Sequence, residues 1–143
     1  MNESIRTMLK KVVDATPEQR INMGKENLHS LMLGLKDYGF SEKEITVIVM
    51  NLTRLFVSAD LSCSEPEYVF FCAVTGAKVT REYFFEMTNN GRDPKFVEDT
   101  LDFLGQFYEK EKIAALMYGV ALMCSDRKVH LDEETLVEAI LDL

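Results

Sequence analysis

Glycine and proline are scarce in this chain, at 7 and 3 of 143 residues, and no Ser- or Gln-rich tract accompanies them. That leaves no material for a long linker. No segment combines the low hydrophobicity and high charge that keep a chain disordered. Cysteine is also scarce: Cys63, Cys72 and Cys124 form an odd set with neither CxxC spacing nor a histidine at zinc-ligand distance. They read as small buried apolar residues of a reducing compartment, which excludes a disulfide framework. Positive charge is the next shortage, since 16 Lys and Arg face 24 Asp and Glu for a net −8 at pH 7. Such a field repels phosphate backbones. Only Arg6, Lys10 and Lys11 approach a basic patch, and they read as a solvated helix face, so no nucleic-acid partner is expected. The opening MNESIRTMLKK has charges but not the apolar core of about 7 to 15 residues that a signal peptide needs. No uncharged run approaches the roughly 20 residues of a membrane span. A cytoplasmic protein without a membrane span is the expectation.

What is present is enough for one domain, because a chain of this length buries roughly 68% of its unfolded surface without staples. Helix signals dominate. Ile5, Met8, Leu9, Val12 and Val13 form an amphipathic stripe between Ser4 and Ala15, a first helix that the sequence leaves loosely attached. Thr16-Pro17-Glu18-Gln19 is a capping box that opens a second helix running to about Tyr38, with Ile21, Leu28, Leu31, Met32 and Leu35 inward and Gly39 as its stop. Ser41 with Glu44 opens a third helix toward Asp60, and Ser64 with Glu67 opens a fourth that Gly76 ends. The β-branched TVIVM permits a strand as a rival. A short fifth helix from Thr80 to Thr88 turns Tyr83, Phe84 and Met87 inward, and Asn89-Asn90-Gly91 stops it. Asp93-Pro94 starts the next, through Phe96, Val97, Leu101, Leu104 and Tyr108. Glu109 to Lys112 reads as a polar turn or an exposed helical face. Ile113 to Asp126 and Asp132 to Leu143 complete an all-α bundle of about seven or eight helices within one domain spanning 1–143.

Within that order a unit recurs. A long apolar helix ends in Asp, an acidic turn follows, and a Glu opens the next helix. Residues 54–74 carry the first copy and 118–140 the second, at an offset of 66 from Asp60 to Asp126 that also pairs Glu67 with Glu133 and Ser64 with His130. The correspondence argues against the strand, because the partner of TVIVM lies in IAALMYGVALM, rich in helix-favouring Ala, Leu and Met.

The Asp, two residues, apolar, Ser, two residues, Glu pattern after an apolar helix resembles the TerB-like domains of bacterial tellurite-resistance and stress systems, over most of the chain. The resemblance implies a compact all-helical bundle with no established catalytic activity and acidic residues proposed to bind a divalent metal. Carried over by position, those residues are Asp60, Glu67, Asp126 and Glu133, with Asp132 and Glu134 as further oxygen donors. The cation would be Ca²⁺, Mg²⁺, Mn²⁺ or Zn²⁺. The family has Gly after the Asp, where this chain has Leu61 and Arg127; a Gly permits the left-handed turn and leaves room for a metal, and Arg127 is a competing cation. Neither turn supplies the six to eight oxygens that calcium takes, so a site requires both turns to converge. The same residues also serve as caps: Glu67 is the reciprocal member of the Ser64 box, and Asp60 and Asp126 bond their own turns.

His29 and His130 stand at no spacing that defines a ligand set or a base, and no nucleophile elbow, P-loop or phosphate cradle occurs. The expectation is a non-enzymatic helical domain of a bacterial stress response, acting through other proteins, with a weak divalent-cation site at the acidic turns. One alternative is a metal-dependent enzyme or sensor built on the carboxylates of both turns. Another is a helix-binding module that uses an exposed Met and Phe surface, drawing on eight methionines and the Tyr83-Phe84-Phe85 cluster.

Overall fold

The computed structural model describes residues 2–59, 64–89, 91–127 and 131–143, and only the backbone of residues 2, 3, 131 and 132. Among the described residues the chain forms α1 (Asn2–Asp14), α2 (Pro17–Asp37), α3 (Glu42–Val57), α4 (Glu65–Thr75), α5 (Arg81–Met87), α6 (Pro94–Gly105), α7 (Glu109–Met123) and α8 (Leu131–Leu141), with a 3-10 turn at Cys124–Asp126. No strand occurs among them, so TVIVM is helical and the all-α class holds. All three capping boxes form. Thr16, Ser41 and Ser64 accept the N–H three residues on at 3.1, 3.2 and 3.4 Å, and Gln19, Glu44 and Glu67 accept the cap residue's own N–H, each at 2.9 Å. Each box satisfies two of the donors that a helix start leaves open. Gly39 at φ +98° and Gly76 at φ +71° stop α2 and α4 in the left-handed conformation that glycine adopts without strain.

The centre of the bundle is α7. From Ala114 to Met123 nearly every side chain is buried, the mark of a helix enclosed on all sides. Helices α1, α2, α3, α4 and α8 all pack against it. Small residues make this possible: Gly119 lies under the Phe56 ring of α3, where a Cβ would overlap the ring, and Gly34 of α2 lies against the Glu111 side chain of α7. Helix α1 seats Ile5, Leu9 and Val12 in the same core.

Four local expectations need correction, the first being Tyr108, which lies beyond the end of α6 at Gly105, caps the start of α7 and is 77% exposed. Glu109 to Lys112 is the first turn of α7, with Glu111 and Lys112 only 9% and 8% exposed. The crossing of α2 at Gly34 covers this turn, and the Lys112 ammonium reaches out to Glu109 at 3.1 Å. On α2 the buried stripe is Arg20, Gly24, Leu28, Leu31 and Leu35, and Met32 points outward, 42% exposed. On the short α5, Phe84 is buried and Met87 half-buried against the core, but Tyr83 is 49% exposed. Of the cysteines, Cys124 is buried and Cys72 half-buried, whereas Cys63 lies outside the described residues.

The recurring unit has matching helix limits. Helices α4 and α8 start and end 66 residues apart, and α3 and α7 end 66 apart. The match is one of chain positions, since the packing differs: α7 sits on α8, whereas α3 packs chiefly on α7, α2 and α6.

Candidate functional site

At the end of α7 the chain tightens into the 3-10 turn, and Arg127 follows at φ 62° and ψ 30°. This is the position at which the TerB-like pattern has Gly. The left-handed turn is thus made here by a residue with a Cβ, at a cost of roughly 1–2 kcal/mol. The Cys124 thiol donates to the Leu9 carbonyl at 3.9 Å, and the Ser125 hydroxyl to that of Leu122 at 2.6 Å.

Into this turn comes Arg20 from α2, buried at 3% exposure. Its guanidinium donates to the carbonyls of Val12, Val13 and Ala15 at 3.3, 3.0 and 2.5 Å, closing the open C-terminal end of α1 with a cation. Burial, and next the nearby Arg127, lower its pKa, while Cys124 and Asp126 act in the opposite sense. The Cys124 thiol is pushed up to about 12, first by burial and then by the Glu133 and Asp126 carboxylates, with Arg20 opposing. Arg20, Cys124, Asp126, Arg127 and Glu133 therefore form one electrostatic group.

The first turn is used differently. Glu67, 2% exposed, accepts both the Ser64 N–H and the Ser64 hydroxyl on Oε1 at 2.9 Å. Its neighbour Glu65 forms an ion pair with Arg81, whose guanidinium lies 5.4 Å from the Tyr68 ring centroid. Glu134 pairs with Arg6 at 2.7 Å. Asp60 and the repeat partner His130 lie outside the described residues, and of Asp132 only the backbone is described. Among the described residues no group of three His, Cys, Asp or Glu is placed to hold a metal. Of the described carboxylates, Glu67 accepts the bonds of its cap, Glu134 pairs with a guanidinium, and Asp126 acts electrostatically on Arg20.

A different site opens on the opposite kind of surface. Helices α2, α3 and α4, the segment 76–80 and the start of α5 enclose a groove of about 830 Å³. Each helix contributes a stripe of neighbouring positions: Leu28 and Met32 from α2, Val49 and Met50 from α3, Phe71 and Val74 from α4. Leu28 with Met32 and Phe71 with Val74 are the i,i+4 and i,i+3 pairs that helical spacing stacks on one face, and Val49 and Met50 each stand in that relation to Thr46. Ala77, Val79 and Tyr83 extend the apolar floor, and Lys25, His29, Thr46, Lys78 and Thr80 stand at the margin. Met32 and Tyr83 belong to this surface, which is why they face water.

Sequence reading placed Met32 and Tyr83 in the core and left Lys25, Lys78 and Arg20 without a role. For Arg20 there was a signal, because it falls four residues before Gly24 and eight before Leu28 on the buried stripe. For the groove the signal was partial, the methionines and the Tyr83-Phe84-Phe85 cluster as an alternative binding surface, since four elements and a connection build it.

Fold and site together define an all-α bundle with an open apolar groove on one face and, at the end of its central helix, a charged turn against the buried Arg20 and Cys124. No family model, curated protein or solved structure matches the chain.

Proposed function

We propose that this chain is a non-catalytic helical interaction domain that receives the apolar face of a partner protein's helix in the groove between α2, α3, α4 and α5. The groove carries the reading: about 830 Å³ of space is lined by the methyl, thioether and ring surfaces of Leu28, Met32, Val49, Met50, Phe71, Val74 and Tyr83. Helix-in-groove recognition takes anchors at i, i+3, i+4 and i+7, and stripes at matching spacing provide seats for them. Methionine at two of those seats suits a surface that adapts to its occupant. The resemblance of the acidic-turn pattern to TerB-like domains supplies the proposed setting, a bacterial stress response. Titration of the isotope-labelled protein with amphipathic helical peptides tests the reading. Shifts are expected to concentrate at Met32, Val49, Phe71 and Tyr83, and the Met32→Ser/Tyr83→Ser variant is expected to bind roughly tenfold more weakly, by the usual cost of truncating interface anchors. Shifts confined to other faces would overturn it.

The second reading is a divalent-cation site at Asp60, Glu67, Asp126 and Glu133, serving a sensor or a metal-dependent enzyme. One observation favours it: Glu67 and Glu133, 66 residues apart, are buried at 2% and 1% exposure. Calorimetric titration of the metal-stripped protein with Ca²⁺, Mg²⁺, Mn²⁺ and Zn²⁺ decides. Micromolar binding that Asp60→Asn/Asp126→Asn abolishes would carry this reading, and its absence would leave the carboxylates as caps and counter-ions.

A further inference from the structure

The groove is apolar at its floor, but its charge is unusual for this chain. Acids outnumber bases 24 to 16 overall, yet the acidic and basic residues among the groove's 15 lining residues are Lys25, His29 and Lys78, with no carboxylate. An average sample of that size from this sequence would contain two or three acids. The cations also stand on separate walls, Lys25 on α2 and Lys78 in the connection between α4 and α5. Both residues are exposed, so their methylenes extend the apolar margin while their ammonium groups stay in water. On α4, Glu65 is paired with Arg81, and Glu67 is buried in its cap.

We propose that the groove selects an amphipathic helix whose apolar face is flanked by carboxylates, which pair with Lys25 and Lys78 across its two margins. This rests on the helix-binding reading above and adds the chemistry of the partner. Shape favours a helix over a small amphiphile. Small-molecule sites cover about 70–90% of their ligand, whereas Met32 and Tyr83 keep 42% and 49% of their surface open to water and the groove covers one side of its occupant. Charge selects among helices: Lys25 and Lys78 stand at the groove with no carboxylate among its lining residues, so a helix flanked by acids is favoured there over one flanked by lysines.

The test uses three helical peptides that share one Leu/Phe face and differ only in flanks of Glu, Gln or Lys, with affinities for the whole protein read by fluorescence anisotropy. The Glu-flanked peptide is expected to bind roughly three- to thirtyfold more tightly than the Lys-flanked one at low salt, from two exposed pairs. The ratio should fall toward unity at about 1 M salt, where the screening length is about 3 Å. Lys25→Glu/Lys78→Glu is expected to invert the order. If all three peptides bind alike and Met32→Ser/Tyr83→Ser weakens them equally, the helix reading stands and selection by charge is overturned. If no peptide binds, both are overturned. Self-association through the groove, or uptake of oleate in place of any peptide, names another occupant and also overturns the proposal.

Discussion

Arg127 is the one non-glycine residue among those described with a positive φ, at 62°. Its guanidinium also lies close enough to lower the pKa of the buried Arg20. Arg127→Gly removes both penalties. Left-handed backbone costs an L-residue roughly 1–2 kcal/mol, and the added freedom of glycine in the unfolded chain returns about 0.5–1 kcal/mol of that. A net gain of about 0.5–1 kcal/mol in urea unfolding is expected, and a loss would mean that Arg127 makes a compensating contact. A second residue-scale prediction concerns the buried pair Tyr118 and Thr53, whose oxygens lie 2.7 Å apart. The Thr53 hydroxyl donates to the Val49 carbonyl at 2.8 Å, so the Tyr118 hydroxyl is the donor between them. Tyr118→Phe leaves Thr53 with its own bond made, at a cost of about 1 kcal/mol; Thr53→Val strands a buried hydroxyl donor and should cost about 2–3 kcal/mol. Equal losses would show that the donor assignment is reversed.

At the scale of elements, helix contact around α7 depends on where a side chain is missing. Alanine is the better helix former by about 1 kcal/mol, so an exposed Gly→Ala change should stabilise. Gly105, at the end of α6, meets only the Leu143 side chain at 3.7 Å, and Gly105→Ala is expected to gain up to that amount. Gly119→Ala drives a Cβ into the Phe56 ring and is expected to lose about 1–3 kcal/mol through forced repacking, despite the same propensity gain. Thermal unfolding of the two variants side by side checks the opposite signs. The same contrast explains what was legible in the sequence. Helix starts at Thr16, Ser41 and Ser64 were readable because a capping box is closed within four residues. The burial of Glu111 was not, because α2 crosses it at Gly34, some 77 positions earlier in the chain. Glu67 was readable as a cap for the same local reason, whereas the arginine facing Asp126 comes from α2, 106 residues away. The groove draws on four elements, so its residues looked like core or surface taken one helix at a time.

At the scale of the whole molecule, the core around α7 contains two groups that resist losing a proton. The Cys124 thiol is raised to about 12 by burial, then by Glu133 and Asp126. The Tyr118 hydroxyl, fully buried, is raised as well, again by desolvation. In the unfolded chain both return toward about 8.5 and 10. The folded state therefore holds protons that the unfolded state has released, and stability falls with pH wherever that is so. The contribution is whole below about pH 8.5, is lost as pH rises toward about 12, and steepens above about 10 when Tyr118 joins. Each titrating group adds a slope of roughly 1.4 kcal/mol per pH unit within its window. Urea midpoints between pH 8 and 11 should decline, and Cys124→Ala, weaker at neutral pH through its small cavity, should show a shallower decline from pH 8.5 to 10. A parent curve flat to pH 11 would mean that the end of α7 opens to water well before the bundle unfolds. Thiol labelling separates that case: in the native protein at pH 8 a disulfide reagent is expected to modify half-buried Cys72 well before Cys124, and equal rates would show the local opening directly.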